Sequence, residues 1–111
     1  MIPMSEMQIS DNVANHLRKL AKLYQHQQAS EIMRRTLDKL LRYEMALSQE
    51  QLNQLQEDMR QFEHKYGLSS DEFFRQFQAG QTDDRMDYVE WASMVQMVHN
   101  LEARLNLLAN G

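Results

Sequence analysis

The sequence predicts a mainly α-helical protein that opens with one short strand. Three observations carry this. Apolar residues recur at helical spacing from Val13 to Leu108. Gly (3) and Pro (1) are scarce in the 111 residues, which suits long helices joined by short turns. Only MSEMQIS, residues 4–10, breaks the pattern. There Met7 and Ile9 alternate with Glu6, Gln8 and Ser10, the period of a strand with one buried face.

Each element follows in order. Residues 5–9 form the predicted strand. DNVANHLRKLAKLYQ, capped by Ser10 or Asp11, places Val13, Leu17, Leu20, Ala21 and Tyr24 on one helical stripe. HQQAS interrupts it, and Ser30 caps EIMRRTLDKLLRYEMA, whose apolar face is Ile32, Met33, Thr36, Leu37, Leu40 and Leu41. Ser48-x-x-Gln51 has the form of a capping box and predicts a separate third helix. Its stripe is Leu52, Leu55, Met59, Phe62 and Tyr66. Gly67 suits the left-handed position that ends a helix. Ser69-x-x-Glu72 is a second capping box, opening the short DEFFRQFQA, and Gly80 closes it. The acids of QTDD favour the positive N-terminus of the last helix, RMDYVEWASMVQMVHNLEARLNLL.

Composition narrows the function classes. The absence of Cys excludes disulfides, thiolate metal sites and Cys nucleophiles. No apolar run approaches the roughly 18 residues that span a bilayer, and the N-terminus lacks the blocks of a signal peptide. A cytoplasmic protein without membrane contact is expected. His16, His26, His64 and His99 have no metal-binding spacing, and the acids of DDRMD lack the calcium-loop pattern. No metal, cofactor or catalytic activity is expected. Charge is uneven: residues 1–45 carry seven Lys/Arg against five acids, and residues 46–111 five against eleven. A basic first half and an acidic second half suggest different partners and a division at 45/46.

Strand, helix, short turn and capped helix within residues 4–44 resemble the ribbon-helix-helix family of DNA-binding proteins. MQIS, VANHLRKLAKLY and ASEIMRRTLDKLL carry the likeness. The resemblance implies a homodimer in which two strands pair as a β-ribbon over interlocked helices. Such a ribbon enters the major groove of operator DNA and presents Met4, Glu6 and Gln8 to the bases. The start of the second helix, at Ser30 and Glu31, would clamp a phosphate, with Gln27 and Gln28 adding hydrogen bonds. Arg18, Lys22 and Arg34, with Lys19 and Arg35, would supply salt-sensitive attraction. Glu6, and the lack of Arg or Lys on the ribbon, depart from the family.

An acidic helical extension behind such a domain is similar to the antitoxins of toxin–antitoxin operons. This implies a transcriptional regulator whose residues 46–111 bind a protein partner, such as a cognate toxin. Phe73, Phe74, Phe77, Tyr88 and Trp91 form the candidate partner-binding cluster. Two readings of that cluster stay open, docking on another protein or folding back into the chain's own core. The competing functional reading is a helical dimer without DNA binding, acting as an adaptor or assembly protein.

Overall fold

A computed structural model describes residues 4–110, with side chains from residue 11 onward. The described residues form four α-helices and no strand: α1 (Met4–Gln25), α2 (Glu31–Tyr66), α3 (Ser70–Gln78) and α4 (Met86–Asn110). The expected β-ribbon is therefore corrected. Met4–Ser10 belongs to α1, so no β-ribbon of a ribbon-helix-helix domain is present among the described residues, and Ser10 and Asp11 lie inside α1 rather than at its start. The physical reason is local. A lone strand leaves its N–H and C=O groups unpaired, whereas a helix pairs them within the segment. Glu, Met and Gln are also good helix formers.

A second correction concerns Ser48. The second and third predicted helices are one continuous α2. No Gly or Pro stands between Ser30 and Gly67, and Ala46 and Leu47 propagate the helix into the supposed cap. Ser48 is buried inside α2 rather than at its start.

The chain divides into two compact units, Met1–Leu40 and Leu41–Gly111. In the first, α1 ends in a tight reversal. The Gln28 N–H donates to the Leu23 carbonyl (2.8 Å) and the Gln27 N–H to that of Tyr24 (3.1 Å). These are the paired bonds of a Schellman motif, with Gln27 at the left-handed position, φ 58°. Ser30 then caps α2, its Oγ accepting from the Met33 N–H at 3.1 Å.

The second unit holds the core. Phe73, Trp91, Ala92 and Val95 are buried together, and Met59, Phe62, Tyr66, Leu68 and Tyr88 pack against them. Both turns here match the sequence expectation. Gly67 (φ 68°) ends α2, and Ser69 caps α3, accepting from the Glu72 N–H at 3.1 Å. At Gly80 (φ 71°) the Schellman bonds recur, Gln81 N–H to Gln76 O at 2.9 Å and Gly80 N–H to Phe77 O at 3.1 Å. Among the described residues, no helix is long and apolar enough to cross a membrane.

Candidate interaction surface

With no ribbon among the described residues, the residues expected to meet DNA are distributed over α1, the turn after it and the start of α2. Met4, Glu6 and Gln8 lie in α1, and their side chains fall outside the described residues. The Gln27 and Gln28 backbones are occupied in closing α1. Ser30 spends its hydroxyl on the cap, and Glu31 accepts from Arg35 Nε at 2.9 Å. Arg18 Nη1 donates to Asn15 Oδ1 at 2.7 Å, and Lys22 and Arg34 are exposed on separate helices.

The aromatic residues meet one another. Trp91 and Phe73 are fully buried and stack in parallel, centroids 3.9 Å apart. Phe62 lies 5.7 Å from Trp91 on stacked planes, and Tyr88 5.3 Å from Phe73. The Trp91 Nε1–H donates to Ser70 Oγ at 2.9 Å, and the Ser70 N–H donates to Glu63 Oε2 at 2.8 Å. Of the two readings of this cluster, the structure displays the fold-back core. Phe73 and Trp91 have no surface to offer a partner. Phe74 and Phe77 are half-buried against the same core, Phe74 with its ring edge toward His99.

A polar layer borders that core. Asp87 Oδ2 accepts from the Tyr66 hydroxyl at 2.5 Å and from Lys65 Nζ at 2.8 Å. These bonds, Lys65 first, hold the Asp87 carboxyl below its ordinary range, and Asp87 raises Lys65 in turn. The Arg85 guanidinium lies 4.6 Å from the Tyr88 ring centroid and pairs with Asp83, which it draws down to about 2. Every partner is spoken for, so the layer reads as a clasp between the start of α4 and the end of α2. Among the described residues, no group of three or more His, Asp or Glu is placed to hold a metal ion.

An exposed apolar surface lies in the first unit. Val13, Leu17, Leu20 and Tyr24 are spaced four, three, four, so they share one face of α1. An amphipathic helix normally buries such a seam. Here Val13 is 51% exposed, Leu17 55% and Tyr24 60%, and only Leu20 is half-covered. On α2, Ile32 is 78% exposed and Leu40 also faces solvent. Leu17, Leu20, Ala21, Tyr24 and Gln25 of α1 line a groove of about 340 Å³ with Leu37 of α2. No described residue from 11 to 40 is buried.

Sequence reasoning found these residues as a helical stripe, and the ribbon-helix-helix resemblance implied that such helices interlock with those of a second chain. The chain matches no protein-family model, no curated protein and no solved structure, so the functional argument rests on this geometry.

Proposed function

We propose that the chain is a helical adaptor or assembly protein that binds a protein partner through the apolar faces of its first unit. One observation carries this reading: the α1 seam of Val13, Leu17 and Tyr24 is exposed over more than half of each side chain. Monomeric proteins rarely expose contiguous apolar patches of this kind, and a larger one marks an interaction site. The second unit has a closed aromatic core and serves as the stable body. No catalytic step is part of this reading.

The test is the native size of assemblies in host extracts. The wild-type chain is expected in particles well above its own 13.2 kDa. A Leu17→Lys/Tyr24→Lys variant is expected to elute as the free chain, with its second unit still folded. Equal elution of both proteins overturns the reading.

A second reading is favoured by charge. Residues 41–111 hold twelve Asp/Glu against six Lys/Arg. That surplus supports docking of a basic protein, as a toxin would be for an antitoxin-like regulator, through surface carboxylates rather than through Phe73 or Trp91. Such binding would weaken steeply with salt. Salt-independent retention of the partner removes it.

A further inference from the structure

We infer that the partner covering the first unit is a second copy of this chain, the two helical hairpins closing on each other into one helical bundle. This rests on the reading that the surface binds protein, and it names the occupant.

The first argument is the missing core. Between residues 11 and 40 the fold buries no side chain, yet both helices are amphipathic and the turn joining them is held by the backbone bonds of Gln27 and Gln28. Short helices gain most of their stability from packing an apolar face. An apolar face left uncovered calls for a second layer, and an identical chain supplies the same apolar stripe.

The second argument is the spacing. Val13, Leu17, Leu20 and Tyr24 follow the four-three-four interval of a helix seam that packs knobs into holes on a like helix. Across a twofold axis the same patch meets itself, so one stripe provides both sides. The groove lined by Leu17, Leu20, Tyr24 and Leu37 is of a size to receive a large apolar side chain.

The third argument is area. Val13, Leu17, Leu23, Tyr24, Ile32 and Leu40 are exposed by 41–78%. On one face of α1, Val13, Leu17 and Tyr24 alone present on the order of 300 Å², a substantial part of the ~800 Å² that each partner contributes to a standard interface.

Charge is the fourth. Residues 1–40 hold six Lys/Arg and four acids, interspersed along both helices, with Glu31 and Arg35 already paired. No single-sign field opposes contact of like with like. A strongly acidic or basic partner would find no matching block on this face.

The purified full chain decides the matter. Sedimentation equilibrium from low micromolar to about 100 μM is expected to give twice 13.2 kDa. Because the chain has no Cys, a single Gln28→Cys label reports only this turn. Donor- and acceptor-labelled chains are expected to transfer energy on mixing, and unlabelled chain to compete. Leu17→Asp/Tyr24→Asp places two carboxylates in the seam. It is expected to raise the dimer dissociation constant about a hundredfold or more, leaving the near-ultraviolet signal of Trp91 unchanged. Leu17→Met/Tyr24→Phe is expected to stay dimeric. A single 13.2 kDa species across the range overturns the inference, as does a dimer indifferent to the paired Asp substitutions. A chain monomeric when pure but held in large assemblies in extract refutes the second copy and leaves the adaptor reading standing.

Discussion

Ser70→Ala isolates the one buried side-chain hydrogen bond on which the aromatic core depends. Ser70 is nearly inaccessible and its Oγ accepts from the fully buried Trp91 Nε1–H at 2.9 Å. Alanine leaves that buried donor without its partner, which costs about 1–3 kcal/mol. The α3 N-terminus is not otherwise weakened, because the Ser70 N–H to Glu63 Oε2 bond belongs to the backbone and Ala is the better helix former. For a unit the size of Leu41–Gly111, each kcal/mol moves the midpoint by about 4–8 °C, so Tm is expected to fall by roughly 4–24 °C. Trp91 is the only Trp, and its near-ultraviolet circular dichroism follows this unit alone. The Trp91→Phe background removes the donor while keeping an aromatic stack on Phe73. There Ser70→Ala is expected to cost little, leaving a coupling of about 1–2 kcal/mol in the double-mutant cycle. Equal cost in both backgrounds would refute the bond as the source of the loss.

Trp91→Ala is expected to destabilise the second unit by about 3–5 kcal/mol in urea titration, since its ring is wholly buried against Phe73 and Phe62. Gln27→Gly is expected to stabilise the first hairpin by about 0.5–1 kcal/mol, measured by helicity at 222 nm, because Gln27 holds φ 58° with a side chain. Gly80→Ala is expected to destabilise by about 1 kcal/mol at the equivalent left-handed position, although its Cβ would meet nothing within 4 Å. Glu72 accepts from Arg75 and Gln76, which lower its carboxyl from 4.5 to about 2. A depressed carboxylate contributes stability that is complete above the unfolded value and lost as pH falls through the folded one. Carboxyl-carbon NMR is therefore expected to place its midpoint near 2, returning toward 4.5 in Arg75→Met, with acid loss of the contribution confined between those values. Tyr66→Phe is expected to raise the Asp87 midpoint by removing one of its two donors.

Local chemistry was legible wherever backbone conformation is set by one or two residues. Gly67 and Gly80 supply positive φ, and Ser69 with Glu72 closes a cap, so the boundaries of α3 could be read directly. Ser48-x-x-Gln51 has the same form but lies inside α2, because a capping box marks a start only where something stops the preceding helix. Ala46 and Leu47 stop nothing. Alternation over MSEMQIS misled for a related reason: a few residues fit two periods, and the strand reading required a partner strand that the helix does without. The aromatic residues were found but not their role, since Phe73, Phe77, Tyr88 and Trp91 have the same spacing whether they face a core or a partner. In the first unit the stripe of Val13, Leu17 and Tyr24 was legible as an apolar face, and it lies exposed. Periodicity identifies an apolar face; what covers that face depends on the rest of the chain or on another molecule.

Hydrogen–deuterium exchange of residues 13–24, followed as protein concentration rises, tests most directly whether the α1 seam is an interface. Association should protect these amides progressively with concentration, while the amides of α4 around Trp91 stay equally protected throughout. Fast exchange across residues 13–24 at every concentration would contradict the account.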